Sequence, residues 1–481
     1  MTSRMHVLLA VVVLLGGVEI KAEWKSTRVR KSWAAYTNDE KDLYLSAVKK
    51  AMTSGYHLMF TQIYMDPDSL QQVVGTCGAP AWYRKYLLGY ENMLRSLDTT
   101  YNNVTLPFWD MFADSARRLS TSTSCIGIED CSPILKDFGG CQGNELVPGT
   151  YVVNGEEIPS GNCANTSIAA HACTNSNKCE KCLPRGDWGI GDATLEFGPT
   201  TFADLIRHAS DAKKTSSSGM DTLREEVQNS VQLIVHSVLG GVYETRAAAF
   251  DPVFFSHYAT LDMVYQFFQS CNQTVALTGS CISNGNRKIS PTATIPMKIE
   301  NTTVEKHADL SAFFKTLGTT FGSMDTFDVE YKIGPFLQNM LKKFSLQCNA
   351  EKSATGAISY ATGKDMFEDA VAITTLVNDL VACDQTSKMN GTTIEAPSAL
   401  ISCQLLSSLQ NGVFTNFSTP VREFFGVTQD DLPKCVGALA AVTTVEVTVM
   451  PSTDFKSISD RFAIVTRGAQ DGEMRYMHLA N

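Results

Sequence analysis

Trp82-Tyr83-Arg84-Lys85-Tyr86-Leu87-Leu88-Gly89-Tyr90-Glu91-Asn92-Met93-Leu94 carries the clearest periodic pattern in the chain. Tyr86, Leu87, Tyr90 and Leu94 fall on one helical face, so Tyr83 to Leu97 reads as an amphipathic helix. Two helices precede it. Thr37-Asn38-Asp39-Glu40 supplies cap-type residues ahead of Leu43, Leu45, Val48 and Met52, and Tyr56 to Tyr64 forms a second run that stops before Pro67. Helical spacing returns at Thr201 to Ile206, from Leu223 to Leu239 and from Asp251 to Phe268. The middle run is closed by Gly240-Gly241. Between about 100 and 200 the chain is rich in Gly, Ser, Thr, Asn and Cys and reads as cross-linked loops.

The 481 residues are 44% apolar and carry a formal net charge of -10, which allows two or three domains with ample core and excludes disorder as the dominant state. The acidic balance, with no Lys/Arg run longer than two, argues against nucleic acid or an anionic membrane as partner. Residues 1–22 read as a secretory signal: Arg4, the apolar run Val7 to Val18, then Ala22. No later segment is apolar for long enough to span a membrane, so the protein is expected outside the cell.

Fourteen cysteines suit that compartment. Eight lie before residue 190, two are Cys271 and Cys281, and four lie beyond 340, so each group has the even number needed to pair internally. Cys179-Glu180-Lys181-Cys182 has the spacing of half a zinc knuckle, but no second pair matches it and disulfides are the preferred reading. Sequons at Asn103, Asn165, Asn272, Asn301, Asn390 and Asn416 point to a glycoprotein. A Ser/Asn/Gly/Thr/Pro-rich stretch near 280 to 300 suggests a boundary, giving regions 23–285 and 286–481. In the second region Leu310–Leu317, Ile333–Phe344, Met366–Leu380 and Ala399–Leu409 read as helices, and Ala441–Val449 alternates like a strand.

Leu106-Pro107-Phe108-Trp109-Asp110 follows the Trp82 helix, and Val235-His236-Ser237-Val238-Leu239-Gly240-Gly241 precedes Phe250-Asp251-Pro252-Val253-Phe254-Phe255-Ser256-His257-Tyr258-Ala259-Thr260-Leu261-Asp262. In order and spacing these four blocks resemble the two copper regions of the tyrosinase-like, type-3 copper family. The resemblance covers about residues 25 to 270. It implies a mainly α fold whose centre is a four-helix bundle with long disulfide-bonded loops. It also implies two coppers held by six histidines, and oxidation of monophenols or o-diphenols.

Position by position, the family's ligands are largely replaced. The histidine of its Trp-His-Arg motif is Tyr83 here, Val74 stands nine residues earlier (Thr76 or Cys77 if a gap precedes Gly78), and the first ligand position falls at Tyr64 or at His57. In the second region His236 is kept, its i−4 partner is Gln232, and the metal-binding member of the His-His pair is Tyr258. His57, one helical face back from Tyr64, and His257, beside Tyr258, are the histidines that could be drafted in to join His236 on a single copper. Valine offers no donor, and tyrosine must first lose a proton that normally leaves near pH ~10. Two phenols beside His236 could hold ferric iron, but mutual packing of the rings is the preferred reading.

No cofactor is therefore expected, although the resemblance implies copper. The remaining blocks have bland roles, Arg84 pairing with Glu91 or an aspartate and the tryptophans filling core. The function expected is that of a secreted glycoprotein of this family without a working dicopper site. Its ligand would be a small phenolic or a matrix or wall component. The alternative is a copper-dependent oxidoreductase working through a mononuclear site. A third reading gives the family's C-terminal shielding role to residues 290 to 481, which no sequence feature supports or excludes.

Overall fold

A computed structural model describes residues 28–343, apart from short internal stretches and the longer ones 189–200, 206–223 and 272–280, together with 358–360 and most of 416–440. The helices expected at Met366–Leu380 and Ala399–Leu409 and the strand at Ala441–Val449 lie outside the described residues.

Helix α1, Asn38–Thr53, starts where the sequence indicates. The Thr37 hydroxyl accepts from the Glu40 amide while the Glu40 carboxylate accepts from the Thr37 amide, a reciprocal cap. Gly55, at φ 86°, turns the chain directly into α2, Tyr56–Met65. Helix α3, Ala79–Ser96, has Pro80 in its first turn, where a missing N–H costs nothing, and most of its side chains are buried. A short helix α4, Met111–Leu119, follows.

The Leu223–Leu239 run is helical where described but not uniform. Gln228–Gln232 is a π-helical turn that continues into α5, Leu233–Leu239, and so inserts an extra residue just before the inward-facing positions. Gly240 and Gly241, both at φ 58°, then reverse the chain. Helix α6 spans Val253–Cys271. The fold is mainly α, and α2, α3, α5 and α6 deliver side chains to one common centre.

Beyond residue 286, the expected Leu310–Leu317 helix contracts to α7, Ser311–Phe314, and α8 covers Phe321–Asp325. Ile333 belongs not to a helix but to a strand, and α9 begins at Pro335, ending at Lys343. This strand, β2 (Glu330–Ile333), lies parallel between β1 (Val29–Lys31) and β3 (Ile358–Tyr360). Residues on either side of 286 thus share one apolar core, with Phe314 stacked on Phe60 of α2. Helix α10 is Thr419–Phe425.

A buried charge cluster ties these parts together. Arg30 of β1 contacts Glu91 and Asp262, each at 3.2 Å, and donates to the Tyr331 hydroxyl at 2.7 Å. Arg84 pairs with Asp262 at 2.8 Å rather than with Glu91, and donates to the Asp325 carbonyl at 2.7 Å. Glu91 instead takes Arg28 and the Leu106 amide. Paired in this way, these charges avoid the several kcal/mol that an isolated buried ion costs, although Arg30 Nη2 has no hydrogen-bond partner.

In the loop region, disulfides join Cys125–Cys131, Cys163–Cys182 and Cys173–Cys179, so the Cys179/Cys182 pair is split between two bridges. Cys141 is a buried free thiol. The first eight cysteines therefore do not close on themselves: Cys77 is disulfide-bonded, and none of the other seven is its partner. Arg185, from these loops, reaches the bundle. It grips Asp251 through two bonds, of 2.7 and 2.8 Å, and also donates to the Phe138 and Gly140 carbonyls. No helix of the described residues is long and apolar enough to cross a membrane.

Candidate functional site

Tyr64 of α2, Tyr83 of α3, Gln232 and His236 before and within α5, and Tyr258 of α6 meet in the middle of the bundle. All five are buried. The Gln232 amide donates to the Tyr258 hydroxyl at 2.9 Å and to the Tyr83 hydroxyl at 3.2 Å. The Tyr64 and Tyr258 hydroxyls are 3.4 Å apart, and Tyr83 is close enough to both to exchange hydrogen bonds with them. The rings pack as tightly as the polar tips. Tyr258 lies 4.4 Å from Tyr83 and stacks on Phe254 at 3.9 Å.

His236 closes the network. Its Nδ1 lies 2.7 Å from the Tyr243 carbonyl, which can only accept, so Nδ1 carries the proton and Nε2 accepts the Tyr258 hydroxyl at 2.9 Å. Desolvation by burial, only partly offset by the Tyr243 carbonyl, lowers its pKa to about 3, so the ring is neutral. Burial also raises Tyr64, Tyr83 and Tyr258 well above the usual phenol value, and they are protonated.

The other two histidines do not join this centre. His57 has both nitrogens engaged, Nε2 donating to the Phe250 carbonyl at 2.9 Å and Nδ1 meeting the Tyr90 hydroxyl at 2.8 Å. Burial lowers it to about 4. His257 meets the Tyr243 hydroxyl through Nδ1 at 2.7 Å, while its Nε2 is buried without a hydrogen bond. Its ring is 6.1 Å from that of His236. Burial, then the neighbouring His236, holds it well below the ordinary histidine value. Val74 is half-buried against the core and contributes only its backbone, to the Leu70 carbonyl.

The three-histidine set drawn from the sequence is thus not assembled around one point. Among the described residues no group of three or more His, Cys, Asp or Glu side chains is placed to hold a metal ion. A dicopper pair needs three neutral imidazoles per metal. This centre offers one imidazole, three phenols and an amide, and does not fit it.

Two contributions were not visible beforehand. Tyr243 fixes the His236 tautomer with its carbonyl and meets His257 with its hydroxyl; it is folded back there by the Gly240-Gly241 reversal. Phe425 of α10 sets its ring 5.1 Å from His236, and Phe424 lies 5.9 Å from Tyr64, so this helix covers one side of the cluster.

Residues 53–271 match the family model for the common central domain of tyrosinase. The chain is 26% identical over 255 residues to the tyrosinase-like protein phomQ1 of Diaporthe leptostromiformis, covering 50% of this chain and 61% of that protein. It is 26% identical over 259 residues to a tyrosinase of Streptomyces glaucescens, covering 50% and 82%. Against tyrosinase HcTyr2 of a Hahella strain the identity is 24% over 331 residues, covering 53% and 57%. The match to the first and third of these spans less than two thirds of their own length. With a mainly α bundle, the motif blocks in order and the central domain matched, residues 53–271 form a tyrosinase-like central domain.

Proposed function

We propose that this chain is a secreted glycoprotein of its family in which the dicopper centre has given way to a hydrogen-bonded phenol cluster. In this reading it acts by binding a small phenolic or a matrix or wall component, not by oxidising phenols. The observation that carries the reading is that the inward-facing atoms at the ligand positions satisfy one another: Gln232, Tyr83, Tyr258 and His236 are mutually hydrogen-bonded, and the rings fill the space between them. The glycoprotein part is supported by the exposure of Asn103, Asn165, Asn301 and Asn416, the sequon asparagines among the described residues. The three disulfides support an oxidising compartment.

The mononuclear copper alternative has little behind it, since His57 spends both ring nitrogens elsewhere. The test is copper loading of the purified full-length protein with excess Cu(I), removal of loose metal, and assay of catechol oxidation. Absence of bound copper and of oxidation above a metal-free control is expected. Two coppers per chain with catechol turnover would overturn the proposal.

A further inference from the structure

Three of the five altered ligand positions, Tyr64, Tyr83 and Tyr258, carry the same replacement, a phenol. Three phenol oxygens and one imidazole nitrogen, from four different helical segments, share one hydrogen-bonded cluster centred on the Tyr258 hydroxyl. The two donor separations that involve Tyr258 match those of a coordination sphere. His236 Nε2 to Tyr258 Oη is 2.9 Å and Tyr64 Oη to Tyr258 Oη is 3.4 Å, with the Gln232 amide bridging Tyr258 and Tyr83 at 2.9 and 3.2 Å. Donors held about 2.0–2.1 Å from a small hard cation lie about 2.8–3.0 Å apart at right angles and about 3.3 Å apart at tetrahedral angles.

Charge then selects the cation. The site is buried, and among the described residues no carboxylate, lysine or arginine side chain hydrogen-bonds any of the three phenols. A buried ion must be neutralised locally. Three phenolates with a neutral imidazole and a neutral amide carry −3, which a trivalent ion cancels and a divalent one does not. Phenolate oxygen is a hard donor that ligates ferric iron, whereas Cu(I) prefers soft donors.

We infer that Tyr64, Tyr83, Tyr258 and His236 form a ferric-binding site, with Gln232 as the amide that orients two of the phenols. The inference rests on the reading that the dicopper centre has been lost. Binding breaks three phenolic O–H bonds and forms three Fe–O bonds and one Fe–N bond; three protons leave to solvent, the Tyr258 hydroxyl releasing His236 Nε2 to the metal. Iron stays ferric and no electron moves. Without the cation, the phenols and the imidazole satisfy each other by the hydrogen bonds seen here.

The test supplies iron to the full-length protein in two ways, as ferric citrate in the medium of a secreting host and as ferric nitrilotriacetate added to the purified protein before desalting. One iron per chain is expected in at least one preparation, with a visible phenolate-to-iron charge-transfer band whose excitation enhances phenolate modes in the resonance Raman spectrum. Tyr258→Phe keeps the ring and removes the oxygen; it should lower bound iron at least tenfold and abolish the band. Tyr90→Phe, outside the cluster, should leave the band unchanged. Thermal melts check that each variant is folded, and Tyr83→Phe and Tyr64→Phe are read the same way should Tyr258→Phe fail to fold. No iron in either preparation, iron without the band, or a band that survives all three substitutions overturns the inference. A parallel Cu(I) loading separates the two readings. Neither metal bound sinks the ferric site alone, whereas two coppers per chain sink the proposed function and the ferric site with it.

Discussion

His236 accepts the Tyr258 hydroxyl on Nε2, at 2.9 Å, because its other nitrogen is committed to the Tyr243 carbonyl at 2.7 Å. The bond direction is therefore fixed, and Tyr258 must take its own donors from elsewhere, chiefly the Gln232 amide. A position that presents an imidazole in the family has become the proton donor to the one imidazole retained.

Tyr258→Phe leaves His236 Nε2 and one Gln232 N–H without that partner in a dry interior. Each unsatisfied buried group costs about 1–3 kcal/mol, so urea unfolding should show a loss of about 2–4 kcal/mol in the metal-free protein. The ring contacts remain, so the slope of the transition should not change. A loss of under about 0.5 kcal/mol would mean that the cluster is hydrated or the bond absent.

The three buried histidines set an acid limit. His236 at about 3, His57 at about 4 and His257 well below 6.5 all stay neutral in the folded chain, whereas in the unfolded chain each takes a proton near pH 6.5. The unfolded state binds the extra protons, so their contribution is complete above about pH 6.5 and falls with pH by up to about 1.4 kcal/mol per unit for each histidine. Asp110 works the other way. Burial, then Asp114, raises it to about 7, so the folded chain holds a proton that the unfolded one releases, and this adds stability as pH falls from 7. Three opposing histidines outweigh it. The urea midpoint should peak near pH 6.5 and drop steadily toward pH 4.5, and Asp110→Asn should stabilise the protein more at pH 8 than at pH 5. A flat midpoint from pH 7 to 5 would rule out neutral buried imidazoles.

Arg185 and Asp251 hold the cross-linked loops onto the bundle. Asp251 also accepts from the Val253 amide at the start of α6, so its carboxylate serves two structures. Asp251→Ala strands the buried guanidinium and should cost about 3–5 kcal/mol, while Arg185→Met/Asp251→Leu, which removes both charges, should cost clearly less than Asp251→Ala alone. Yield of folded protein and its unfolding midpoint are the readouts. Equal damage from the single and double changes would show that the cap at Val253, not the ion pair, is what matters.

What the sequence discloses follows the range over which each feature is specified. Helices α1 to α3 and α6 are visible because caps, stops and apolar spacing lie within a few turns of one another, and the motif blocks around Trp82, His236 and Asp251 are contiguous. The ligand positions are legible for the same reason, since a histidine either stands at a given step of a helix or does not. Sheet β1-β2-β3 is not, because three- and four-residue strands show no alternation and β2 lies some 300 residues from β1 in the chain. Tyr243 is hidden because its placement depends on positive φ at Gly240 and Gly241, which sequence marks only as a helix end. The destination of His57 is hidden too. A histidine at a suitable step suggests a ligand, and only the fold shows a carbonyl and a phenol taking both of its nitrogens.

Gly89 is the point at which residues beyond 286 are fitted to the bundle. A Cβ built there would lie 2.3 Å from two ring carbons of Phe314, so α7 approaches α3 closely enough to require the missing side chain. Gly89→Ala must push Phe314 off its stack on Phe60, and overpacking of this kind costs about 1–3 kcal/mol. Phe314→Ala alone empties the same spot and should cost about 3–5 kcal/mol. In the double variant the new methyl enters space that Phe314 has left, so the two losses should sum to less than their separate values by at least about 1 kcal/mol. Urea unfolding of the four proteins measures that coupling. Simple additivity would mean that Phe314 is not seated on Gly89 in solution, and that the segment after 286 meets the bundle elsewhere.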